Sequence, residues 1–363
     1  MSSNVRAKIP NIPGTRPATR NAQLLISSGI PSLDHFIGEG LPIGSILLIE
    51  EDAFGIYSKV VLKYFVAEGV VSEHGLHIAS QDSKPSQIVS ELPAVEEETS
   101  KVSSKDNKED EMRIAWRYQN MKLVDSSPTH NTFGHYYDLT KKMPKELLEK
   151  ADISLWNGDS EVCDNSTFHN RSYMDLLLSI DKAIVNGKYL VSQEVGKRNI
   201  LRIAVQSLGS RMWMSDSESD TQQDLIKFLF MLRALLREAF AVAIITVPTL
   251  NFDDSSSGIV QRVEHLSDVV VGLESFSGSP RETNPVFKDY HGLLHIKKLP
   301  AFNTLSTGDS LYSDLAFKLR RKKFLVEILH LPPELGETTQ REQDEAASLC
   351  CSGSKAGCNL DTY

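Results

Sequence analysis

Five short apolar runs, separated by stretches of helical pattern, constrain this chain more than any other feature. Ser45–Ile49, Leu76–Ala79, Ile200–Val205, Ala241–Val247 and Asp268–Leu273 are nearly continuous in apolar residues rather than alternating. A strand reads that way when both of its faces are covered. Between the runs, Tyr57–Val71, Tyr173–Asn186 and Gln222–Phe240 carry helical spacing. The expectation is therefore an α/β fold with a mostly parallel central sheet flanked by helices. After Leu273, Gly292–Leu299 and Phe317–Leu331 alternate and are read as a pair of longer strands, the second stopped by Pro332 and Pro333. They predict antiparallel C-terminal edge strands. On the helix 222–240, Leu225, Phe228, Leu229, Leu232, Leu235, Leu236 and Ala239 share one face. Phe230 falls among the polar residues, either a stray exposed aromatic or a subunit-interface candidate.

The 363 residues suit two domains or one large α/β domain with insertions, and 40% hydrophobic with 24% charged residues is ordinary globular usage. No run of 18 apolar residues occurs, and the first twenty residues lack the apolar stretch of a signal peptide. A chain that neither spans a membrane nor is secreted is expected. The net charge of −9 is unevenly spread. Residues 1–20 hold four bases and no acid, residues 91–111 eight acids and three bases, residues 334–363 six acids and two bases. The composition predicts a disordered basic arm (1–20), a domain over 21–335 with a disordered acidic insert at about 95–111, and a disordered acidic tail (336–363). Acidity concentrated in such pieces does not exclude a nucleic-acid partner.

Four cysteines are too few for a disulfide framework, and those of the tail (Cys350, Cys351, Cys358) find no fourth zinc ligand at usable spacing. His74, His77, His130, His135, His265, His291 and His295 are scattered, and Ser27, Ser28 and Ser45 lie in no nucleophile elbow. No metal and no cofactor is expected.

The run Ser45–Ile49 leads through Glu50–Ser58 into a helix, the layout of a phosphate-binding loop. That chemistry needs G-x-x-x-x-G-K-[ST]: glycines so that backbone N–H groups wrap the phosphates, a lysine on their oxygens, a hydroxyl on Mg²⁺. With Ser58 on the final hydroxyl, Tyr57 stands at the lysine, Ile56 at the second glycine and Glu51 at the first. The metal-holding acid should end a later buried strand; after Ile200–Val205 comes Gln206. A strand–turn–helix of an unrelated α/β protein is the plain alternative, but decay at both expected places in the right order points to a degenerate phosphate loop with no catalytic residue.

The segments 24–52 (LLISSGIPSLDHFIGEGLPIGSILLIEED), 114–122 (IAWRYQNMK), 133–144 (FGHYYDLTKKMP), 199–210 (NILRIAVQSLGS), 266–300 and 314–335 closely resemble the family of fourth subunits of the Elongator complex. The resemblance implies a RecA-like ATPase fold that has lost its phosphate loop. It further implies a non-catalytic subunit that forms a heterohexameric ring with subunits five and six. The ring would bind tRNA and support 5-carbamoylmethyl and 5-methoxycarbonylmethyl modification of wobble uridine by subunits one to three, in cytoplasm and nucleus. An ATPase site completed between subunits, served by Arg281 and Lys288, is one alternative; a cofactor of transcription elongation and histone acetylation is the other. Lys318, Arg320, Arg321, Lys322 and Lys323 place five cations in six residues, with Lys297 and Lys298 on the partner strand. These seven are the RNA-contact candidates, and an edge strand guarded by charge is the plain reading of the same pattern. The loops Gln206–Thr221 and Thr249–Arg262 carry Asp216, Glu218, Asp220, Asp253 and Asp254 against Arg211 and Arg262, which argues against phosphate contact there.

Overall fold

The computed structural model describes residues 12–18, 23–96, 133–159, 167–252, 258–302 and 314–330. In chain order the first elements are β1 (Thr15–Pro17), β2 (Leu24–Ile26), α1 (Pro31–Phe36), β3 (Leu41–Pro42), β4 (Ile46–Glu50), α2 (Ile56–Val71) and β5 (Gly75–Ala79). Then come α3 (Pro85–Ser90), β6 (Pro93–Val95), β7 (Tyr137–Lys142), α4 (Lys145–Lys150), β8 (Ile153–Trp156), α5 (Arg171–Asn186) and β9 (Leu201–Val205). The last are α6 (Glu218–Arg237), β10 (Ala241–Val247), α7 (Ile259–Leu266), β11 (Val269–Ser275), β12 (Gly292–Lys298), β13 (Leu315–Leu319) and β14 (Phe324–Ile328).

Nine strands form the main sheet in the order β14-β13-β12-β11-β4-β10-β9-β5-β8. From β11 to β8 all neighbours run parallel, and β12, β13 and β14 continue antiparallel at one edge. This is the α/β arrangement that the apolar runs predict. Along β4, Ile46 and Leu48 face one core while Leu47 and Ile49 face the other, as period-two alternation requires. One core is closed by α5, α6 and α7. In the other, α2 lies on the sheet and is itself roofed by α1 and by the small sheets β1-β2-β3 and β6-β7. Covered on both sides, α2 buries ten of its 16 residues, Ser58 and Glu68 among them.

Three boundaries differ from the sequence reading. Phe317–Leu331 is a hairpin, β13 and β14, and not one strand. Of the four successive cations Arg320–Lys323 the first three are exposed, so the chain reverses in water; the Arg320 and Lys323 backbones close the turn with bonds of 2.9 and 3.2 Å. Thr15–Pro17, expected in a disordered arm, pairs with β2, because Arg16 lies 4.2 Å over the Phe133 ring and bonds the Glu39 carbonyl. Val95, expected to begin the insert, pairs with Tyr137. The remaining parts of the arm, the insert and the tail lie mostly outside the described residues, as do the segment 114–122, His130, Asp253, Asp254 and all four cysteines. Among the described residues no helix is long and apolar enough to cross a membrane.

Candidate functional site

The loop after β4 reaches α2 through Gly55, whose φ of 61° is the left-handed conformation that glycine adopts most readily. Asp52, 3% exposed, folds back onto the helix start. Its carboxylate accepts the N–H groups of Ile56 at 3.0 Å, Tyr57 at 3.0 Å and Ser58 at 3.1 Å. The first N–H groups of a helix have no partner within it and attract anions, which is how phosphate loops hold phosphate. Here an internal anion holds that place.

The other loop positions are turned to different work. Tyr57, at the lysine position, packs its ring 4.7 Å from that of Phe317 and 6.2 Å from that of His291, so it braces the antiparallel edge. Burial, and next the Asp52 charge, push its hydroxyl pKa up. Ile56 is half exposed, and Ser58 is fully buried with its hydroxyl unpaired. Glu51 accepts the hydroxyls of Thr246 at 2.6 Å and Ser207 at 2.8 Å. Burial raises its pKa against those bonds. Gln206 lies at the end of β9, separated from β4 by β10, and accepts the Ser83 hydroxyl at 2.7 Å. The cleft between these parts is lined by Glu51, Asp52 and Asp82, with Lys59 as its cation. Three carboxylates against one ammonium oppose entry of a triphosphate.

The seven candidate RNA cations separate into two groups. Lys297 donates to Glu50 at 2.8 Å and Glu264 at 2.7 Å. Lys298 donates to the carbonyls of Glu264, His265 and Ser267. Lys318 is 8% exposed, paired with Glu327 and lying 4.3 Å from the Tyr290 ring centroid. Each of these three meets protein acceptors or a ring across the sheet, which sequence spacing does not show. Arg320, Arg321 and Lys322 are exposed, and Lys323 is half-buried against Glu96. The structure adds Lys141 and Lys142, exposed on β7, because the Leu139 N–H bonds the Lys322 carbonyl at 2.8 Å.

The family model described as PAXNEB protein matches residues 8–362. The Elongator complex protein 4 of Mus musculus is 44% identical over 97% of this chain and 87% of its own length. The chain belongs to the PAXNEB family of Elongator complex protein 4 subunits. The relative from Homo sapiens is 42% identical over the same shares of the two chains, and that of Saccharomyces cerevisiae 24% identical over 89% and 77%. A KaiC-like protein of Pyrococcus horikoshii superposes with a TM-score of 0.48 at 13% identity, covering 84% of this chain and 98% of that one.

Of the interface candidates, Phe230 is 65% exposed beside Leu178 and Met231, in an apolar groove between α5 and α6. Arg281 and Lys288 lie on the exposed connection from β11 to β12, Arg281 paired with Glu274 at 2.6 Å. Sequence reasoning passed over one buried constellation in this Elongator family member. Arg202, inside the apolar run of β9, is fully buried and donates to His74 Nδ1 at 3.0 Å and to the Ser27 and Phe65 carbonyls. Gly69 on α2 leaves room for its stem, since a Cβ there would stand 2.8 Å from Arg202 Cδ. Glu68, 1% exposed, receives Tyr137 Oη–H at 2.7 Å and His135 Nδ1–H at 3.1 Å. The signal available in the sequence was one arginine in ILRIAV and one glutamate in FVAEGV.

Proposed function

We propose that the chain is a non-catalytic, RecA-like building block of Elongator. With subunits five and six it assembles a heterohexameric ring that binds tRNA and supports 5-carbamoylmethyl and 5-methoxycarbonylmethyl modification of wobble uridine. Subunits one to three supply the chemistry, in cytoplasm and nucleus. The observation that carries the reading is the Asp52 carboxylate on the first N–H groups of α2, a scaffold whose phosphate place is already filled. The exposed Phe230 groove suits a neighbouring subunit. The turn Arg320–Lys323 with Lys141 is the surface offered to tRNA phosphates. A second reading, a nucleotide site completed between subunits, draws on Arg281 and Lys288, whose loop brings Gly278 against the Phe54 ring of the phosphate loop; the Glu274 partner of Arg281 weighs against it.

Reversing Arg320, Arg321 and Lys322 together to glutamate tests the RNA surface in the assembled complex. Each lost phosphate contact should flatten the slope of log affinity against log salt by about 0.7–0.9, so a change of about 2 to 3 is expected, with assembly intact by light scattering. An unchanged slope removes this turn from the RNA surface.

A further inference from the structure

Beside the basic turn lies a pocket that the phosphate loop does not share. Tyr64, Tyr136, Tyr137 and Phe324 converge on it, with Ile30 at its base and Lys323 at its rim. Tyr64, Tyr137 and Phe324 are buried, whereas Tyr136 is 53% exposed. Three rings are thus fixed in the wall and one is presented at the mouth. The fixed rings have their polar atoms engaged elsewhere: the Tyr64 hydroxyl accepts the Phe324 N–H at 3.1 Å, and the Tyr137 hydroxyl donates to Glu68. What remains for a ligand is the exposed face of Tyr136 against an apolar wall.

Two polar groups edge this surface. His135 spends Nδ1 on Glu68, which leaves Nε2 as its atom for a ligand, and the hydrogen bond to Glu68 raises the imidazole pKa against burial. Lys323 places Nζ 5.3 Å from the Tyr136 ring centroid and 2.5 Å from the Glu96 carboxylate. Arg320, Arg321 and Lys322, all exposed, precede Lys323 in the same turn. A ring, Tyr136, that presents a face next to a cluster of cations matches a nucleobase with its flanking phosphates, because every base has a π-face and its strand brings the charge along. An acidic chain without flat rings would meet the cations and leave the Tyr136 face unused.

We propose that this pocket receives one unpaired base of a bound RNA. Tyr136 stacks on the base, His135 Nε2 bonds its edge, and Arg320, Arg321 and Lys322 hold the adjoining phosphates. The proposal rests on the reading that the basic turn meets RNA and adds a means of telling single strands from duplex. The test uses the assembled complex and fluorescence anisotropy with a short labelled single-stranded oligoribonucleotide and its duplex form. Tyr136→Ala should weaken single-strand binding about ten-fold, leave the salt slope and duplex binding unchanged, and be rescued by Tyr136→Phe. Single-strand affinity unaltered by Tyr136→Ala, or an equal loss for duplex, overturns the proposal. So does displacement of the RNA by poly-glutamate that itself depends on Tyr136. Loss with Tyr136→Ala beside an unchanged slope in the turn variant retains the pocket and discards the turn.

Discussion

Replacing Glu68 by glutamine should destabilise the fold by about 3–5 kcal/mol, the usual cost of removing one side of a buried charge pair. Glu68 and Arg202 do not touch. Burial acts to raise the Glu68 pKa, but the hydrogen bond from His135 and the Arg202 charge outweigh it and hold the carboxyl below its ordinary range. Arg202, wholly buried, loses proton affinity through desolvation and regains it chiefly from Glu68. Glutamine keeps the shape and removes the charge. Arg202 is then left uncompensated, and donors from Tyr137, His135 and Ser72 meet a weaker acceptor. Against a total stability of about 5–15 kcal/mol for an ordinary domain, that loss is large. Urea unfolding gives the value, and the double variant Glu68→Gln with Arg202→Met should lose less than the two singles together. A loss under about 1 kcal/mol, or a double variant whose loss equals the sum of the singles, would contradict this.

Acid should destabilise the chain well above the range in which carboxylates titrate. His74 is fixed as a neutral imidazole: Nδ1 accepts from Arg202, and Nε2 donates to the Pro13 carbonyl. Burial, and next the Arg202 charge, push its pKa down to about 3. His77 is pushed down to about 4 by burial; its Nδ1 meets the Ser154 hydroxyl and its Nε2 is buried without a partner. The unfolded chain takes up both protons below about pH 6.5 and the folded chain does not, so stability falls as pH drops from there toward 4. Asp34 acts in the opposite sense. Burial raises its pKa to about 6, so the folded state binds a proton between pH 6 and the unfolded value near 4 and gains stability there. From these three groups one to two protons net correspond to about 1.4–2.7 kcal/mol per pH unit, an upper value that the raised pKa values of His135 and Glu51 reduce. Urea midpoints at pH 7, 6 and 5 measure this slope, and His77→Gln should reduce it. Equal midpoints across that range would contradict the account.

How much of this was legible depends on where the deciding contact lies. The central strands were legible because burial on both faces writes itself as an unbroken apolar run, AVAIITV in β10 being the clearest. β8 was not, since ISLW is short and only its last residue is buried. The hairpin was hidden because alternating apolar residues stand on both sides of the turn, Phe317 and Leu319 before it, Phe324 and Val326 after it, and its cations, not a glycine, define that turn. At the phosphate loop, the losses at Glu51, Ile56 and Tyr57 were visible, and Asp52 was visible only as added negative charge. Its bonds to backbone four to six residues onward need the actual turn. Lys297 and Glu50, 247 residues apart, meet across the sheet, and no local pattern predicts that pairing.

The central claim is that Asp52 already occupies the place where phosphate would sit. Calorimetric titration of the isolated full-length chain with ATP and Mg²⁺ tests it most directly. The account predicts no saturable heat at millimolar nucleotide. Micromolar binding by the chain alone, weakened by Tyr57→Ala at the start of α2, would contradict it.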